Sequence, residues 1–231
     1  MFETFLDEPP EVPLDARLLI GDVVHSLAAA LDHLVYQLSL SNQVAIGTPD
    51  PVAVCDEHKT HFPIYAAIDK DSLKTLEKRL KLMAQTPADL IRAMQPYKRQ
   101  ELDPSMIATE DPLWILFKLD VIDKHRVVLA TNEHVATNKV TVAVEGHEPK
   151  EFSMPELQWQ PFKADAPIFS FTVPAGYELD PKVRLNLDLL LSIRFAETGL
   201  WCDGKPVIEL LRKLIEFIKK AVVGRLAPHI S

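Results

Sequence analysis

Glycine is scarce in this chain, with seven residues in 231. None lies in a GxGxxG or Walker-type loop, so the common phosphate-cradling fingerprints are missing. Cysteine is scarcer. Cys55 and Cys202 form neither a CxxC pair nor a disulfide framework, which fits a reducing compartment. No stretch approaches the roughly 20 apolar residues of a bilayer span. The opening MFETFLDEPPEVP carries acids where a secretory signal needs a basic start, and it lacks an apolar core segment. The expectation is a cytoplasmic protein with no membrane partner. There is no Gly-x-Ser-x-Gly elbow, no cysteine beside a base in sequence, no internal repeat and no low-complexity tract.

Positive charge is also in deficit. The formal net charge is −8, which does not steer the protein toward nucleic acid. Two basic runs, Lys74, Lys78, Arg79 and Lys81, then Lys213, Lys219, Lys220 and Arg225, fall on amphipathic patterns and read as solvated faces.

What is present is ordinary globular material, 47% hydrophobic and 25% charged. A helix starts near Pro13 and Asp15 and runs to about Leu40, with Ile20, Val24, Leu27, Leu31, Leu34 and Leu38 as its core stripe. Residues 41–63 read as a long loop. A second helix is expected over Asp71–Ala84, with Asp71 and Ser72 as caps. Pro87 opens a third helix, stopped by Pro96. Asp111 and Pro112 begin a fourth, LWILFKLDVIDKHR, apolar almost all round and so expected in the middle of a bundle.

The period then changes. NKVTVAVEG, IFSFTV and VRLNLDLLLSIRF alternate like half-buried strands, and LQWQPF is a weaker fourth. Trp159, Phe162, Phe169 and Phe171 sit at strand spacing and read as core. Helical periodicity returns over 206–226. The expected class is α+β: an N-terminal helical layer of about four helices, an antiparallel sheet of about four strands, and a C-terminal helix, in one domain. The helical part is about 14–126, the sheet part 127–196 and the last helix 205–226.

The chemically suggestive residues lie opposite the leucine stripe of the first helix. With Asp22 at zero, His25, Ala29, Asp32, His33 and Tyr36 fall within about 80° either side. Asp22 and His25 are i, i+3, so the carboxylate can orient the imidazole as in a general base. His25 and His33 are about 12 Å apart along the axis, too far to share a metal whose ligands sit about 2 Å away. A second cluster, Asp123-Lys124-His125-Arg126, is pressed between apolar runs, where charges need partners. The expected pairing is Arg126 or Lys124 with Asp22 or Asp32, and His125 facing His25 or His33.

HSLAAALDHLVYQL, the FPI at 62–64, the QPY at 95–97 and DKHR together resemble a family of bacterial and phage proteins whose members read HNLRSALDHL, FPI, a Q-P-Y-like step and DKHR. The similarity covers about 14–130 and implies no activity. Ser26 and Ala28 stand where that pattern has Asn and Arg. The Arg would complete an R-x4-H resembling the HEPN-type ribonuclease motif; here Ala28 precedes His33 and the cation is missing.

Three functions compete. The first is a non-catalytic binding or interaction domain, taking a small anionic ligand or another protein. The second is a hydrolase, RNA- or nucleotide-directed, with His25, Asp32, His33, His125 and Arg126 as its catalytic cluster and Asp22, Lys124 and Tyr36 as ligand contacts. The third is a helix-bundle metal protein. Separately, Cys55, His58 and His61 form C-x2-H-x2-H, zinc ligands by type with no fourth identified. The sequence names no cofactor.

Overall fold

The computed structural model describes residues 2–4, 11–58, 61–144, 150–153, 160–161, 169–171 and 183–230; for strand residues 2–4 and 132–192 the description is of the backbone. The chain forms two compact units. One comprises 1–13 with 130–196, the other 14–129 with 197–231.

The second unit is helical. Helix α1 (Leu14–Ala45) buries Ile20, Val24, Leu31, Leu34, Val35 and Leu38, close to the expected stripe. Leu27 is only half-buried. Each buried leucine contributes about 2 kcal/mol of apolar transfer. By length and composition alone α1 is apolar enough to cross a bilayer, which corrects the expectation that no stretch is. Its stripe is instead taken up by packing on α2 (Pro51–His58), α6 (Pro112–His125) and α7 (Val207–Phe217).

Helices α3 (Lys70–Leu80), α4 (Gln85–Met94) and α5 (Pro96–Leu102) lie between, followed by a 3-10 turn at Ala108–Glu110. The cap of α3 is Asp69, whose side chain accepts from the Ser72 amide, two residues before the expected cap. Pro96 does not merely end α4. It is the first residue of α5, where its missing N–H costs nothing. Pro51 likewise opens α2 inside the expected 41–63 loop. Asp111 caps α6 as expected, accepting from the Leu113 amide. One side of α6 is open: Phe117 is 36% exposed, and Lys118 lies 4.9 Å from the Trp114 ring centroid. After α7 the chain continues as a π-helical stretch, Ile218–Val223, then α8 (Gly224–Leu226) and a 3-10 turn at Ala227–His229. Val207, Leu210, Leu211, Leu214, Ile218, Val222 and Leu226 are buried, while Ile215 is 42% exposed.

The strand unit corrects the expected α+β class. Among the described residues the protein is mostly helical, and its extended pairing is dominated by one two-strand antiparallel ladder, not a sheet of about four strands. That ladder joins β2 (Ala130–Val144) to β6 (Val183–Phe195), with register shifts between Asn132 and His134 and between Thr137 and Lys139. β3 (Lys150–Ser153) and β4 (Gln160–Pro161) pair with β2 over four and two residues only. β5 (Phe169–Phe171) pairs elsewhere, with β1 (Phe2–Thr4). Alternation marks a half-buried extended segment but does not say what it pairs with. Pro161 has no N–H to give a ladder. The remainder of LQWQPF and IFSFTV, including Trp159 and Phe162, lies outside the described residues.

Candidate functional site

The polar face of α1 carries a series of contacts to other segments, and each can be traced to a residue. Asp32 Oδ1 accepts from the Phe62 amide at 2.8 Å, and Asp32 Oδ2 lies 2.8 Å from His61 Nδ1. This fastens the turn at 61–65 to α1. Gln95 fastens the same turn from the other side. Its Nε2 donates to the Pro63 and Ile91 carbonyls, and its Oε1 accepts from the Tyr65 amide. Gln95 is fully buried, so these are bonds that would otherwise be unmet polar groups. The FPI and QPY segments therefore meet, 30 or more positions apart in sequence, through the hydrogen bonds of a single amide side chain.

About two turns earlier on α1, His25 Nδ1 lies 2.9 Å from Asp120 Oδ1 on α6. Asp120 also holds Lys124 Nζ at 2.6 Å through its other oxygen. The Asp120 side chain is 7% exposed, whereas those of His25 and Lys124 are 56% and 52% exposed. Gly21 supplies the close approach of the two helices here. A Cβ at that position would fall 1.9 Å from Asp123 Oδ1, so α1 passes α6 with the Asp123 carboxylate against bare backbone. Further along α1 the Tyr36 phenol is pushed up, first by burial and then by its hydrogen bond to Asp56.

The pairing expected for DKHR is not the one found. Arg126 reaches Glu197, not Asp22 or Asp32: Nη1 and Nη2 donate to Oε1 and Oε2 at 3.1 and 2.5 Å. The Leu129 amide donates to Glu197 Oε1 at 2.6 Å. Glu197 is buried, and the fork raises the Arg126 pKa above its ordinary value. Lys124 pairs with Asp120 on its own helix. The reason is geometric: DKHR closes α6, so its groups reach one turn back, or forward to the returning chain, before they reach another face of α1. Asp22, His33 and His125 are exposed and make no hydrogen bond or ion pair with another described residue.

Two of the acids that do the holding, Asp120 and Glu197, were not among the sequence candidates. Asp120 carries a readable signal, an i, i+4 spacing to Lys124 on an apolar helix. Glu197 carries none, since it lies 71 positions from Arg126. A third buried acid, Asp111, is pushed up by burial although Arg99 Nη1 lies 2.7 Å from its Oδ2. That contact is an ion pair without hydrogen-bond alignment. Arg99 also sits 5.1 Å from the Phe217 ring centroid.

The C-x2-H-x2-H residues diverge. Cys55 is fully buried on α2 with its thiol pushed up by that burial, His58 ends the helix, and His61 turns to Asp32. Among the described residues no three His, Cys, Asp or Glu side chains are grouped to hold a metal ion. An open groove of about 310 Å³, lined by Ala66, Ile68, Tyr97, Gln100 and Glu101, contains none of the candidate histidines. Chemically, the contacts among the described residues fasten helices and a turn. Comparison of the chain with protein-family models, curated proteins and solved structures gave no significant match.

Proposed function

We propose that this chain is a non-catalytic binding or interaction protein, in which the His/Asp face of α1 is a structural seam. One observation carries the reading: three carboxylates on and beside that face, Asp32, Asp120 and Glu197, are already occupied by partners within the chain. Asp32 is taken by Phe62 and His61, Asp120 by His25 and Lys124, and Glu197 by Arg126 and Leu129. A general base needs its carboxylate or imidazole within reach of a substrate proton. Here Asp32 and Asp120 face His61 and His25 within the chain. Ala28, where a HEPN-type motif has its Arg, removes the phosphate-binding cation from α1 as well. The partner is another protein or a small anionic ligand. Two buried free cysteines support a cytoplasmic setting.

The test is turnover. Single-stranded RNA homopolymers and a nitrophenyl phosphodiester are incubated with the wild type and with His33→Ala. The reading expects cleavage at the rate of buffer alone for both proteins. Cleavage that disappears in His33→Ala while the thermal midpoint is unchanged would overturn it and favour a hydrolase.

A further inference from the structure

The helical unit is discontinuous in sequence. The chain leaves it after Leu129 and re-enters at Glu197. Its core is built from both sides of that gap: α7 packs on α1 and on α6, and α8 packs on α4. The buried side chains come from both segments too, Leu31, Leu113, Leu116 and Leu119 from one, Leu210, Leu214 and Leu226 from the other. A chain of roughly 150 residues is large enough to bury a core of its own. What it needs is something to close the two cut ends.

Glu197 is placed to do that. It is the first residue after the return, and it takes the amide of Leu129, the last residue before the departure. It also takes both arms of the Arg126 fork. The carboxylate is 2% exposed and the guanidinium 48% exposed, so the acid is held inside by three donors. A planar guanidinium gripping both carboxylate oxygens fixes orientation as well as distance. The gap is thereby closed to hydrogen-bond length whatever the intervening residues do.

We infer that 14–129 with 197–231 is an autonomous fold, that 130–196, which forms the other unit together with 1–13, is inserted into it, and that Arg126, Glu197 and the Leu129 amide are the clamp that closes the fold across the insertion. This gives the Arg of DKHR a conformational task separate from any ligand.

Hydrogen exchange by mass spectrometry on the full chain, across a denaturant series, reads this directly. Peptides from 14–129 and from 197–230 should open together, as one cooperative block distinct from 130–196. Glu197→Gln keeps an acceptor but loses the charge; it should speed exchange at the Leu129 amide about tenfold and weaken protection in both helical segments, leaving 130–196 unchanged. If that variant does not fold, Arg126→Lys, which keeps the charge and loses the fork, is read the same way. The inference is overturned if the two helical segments open independently, or if the variant changes 130–196 as much as the helical block.

Discussion

Two regions around α1 use polar side chains in different ways. At the 61–65 turn, Asp32 and Gln95 direct most of their bonds at backbone: the Phe62 and Tyr65 amides and the Pro63 carbonyl. At the end of α6 the bonds run mainly between charged side chains: His25 with Asp120, Lys124 with Asp120, and Arg126 with Glu197. The first region is fixed by hydrogen bonds that a buried turn must satisfy somehow, and these depend little on salt. The second mixes two buried acids, Asp120 and Glu197, with more exposed cations, so its contacts are screened and individually weaker. A face rich in His and Asp is thus two devices, a turn fastener and a helix fastener.

The comparison can be broken most severely at Gln95. Gln95→Leu removes the amide and leaves the Tyr65 N–H and the Pro63 carbonyl unpaired in the interior. The expected loss is about 3 kcal/mol of stability in urea denaturation. A loss under about 1 kcal/mol would mean that water reaches the turn.

The next effect is at the crossing of α1 and α6. Gly21→Ala places a methyl in the space of the Asp123 carboxylate. Swinging that short side chain or separating the helices should cost about 1–2 kcal/mol, with the denaturant slope unchanged. A neutral result would show that the two helices do not pass as closely as Gly21 permits.

The smallest effect calibrates the charge pairs. Glu77 accepts from Arg92 Nε and Nη2, at 2.9 and 2.6 Å, and the hydrogen bond from Arg92 lowers its pKa below 4.5. A carboxylate whose folded pKa is lowered contributes stability above its unfolded value and loses it as pH falls through the folded one. Glu77 is about half exposed, so Glu77→Gln should cost only about 0.5 kcal/mol at pH 7. Thermal melts should show that gap closing as pH falls below 4.5. A gap that persists in acid would assign the loss to packing.

Much of the helical unit was legible in the sequence because capping and periodicity are local. The α1 stripe, the Asp111 cap and the C-terminal helix follow from spacing alone. Pro51 and Pro96 misled because proline marks both the end of one helix and the first turn of the next. The sheet was less legible. Alternation identified β2 and β6, but the count of partners is a tertiary fact, and β3 and β4 contribute little to it. At the candidate site, residue types pointed to the right face. The partners do not follow, because Asp120 sits within an apolar helix and Glu197 is remote in sequence.

Asp32 holds the fold, while the exposed His33 of the same face does not. Paired urea denaturation of Asp32→Ala and His33→Ala tests it most directly. Asp32→Ala releases the Phe62 amide and His61 and should cost about 1.5 kcal/mol, whereas His33→Ala, at an exposed residue with no partner among the described residues, should fall within about 0.5 kcal/mol of wild type. Equal losses, or a larger loss for His33→Ala, would contradict the account.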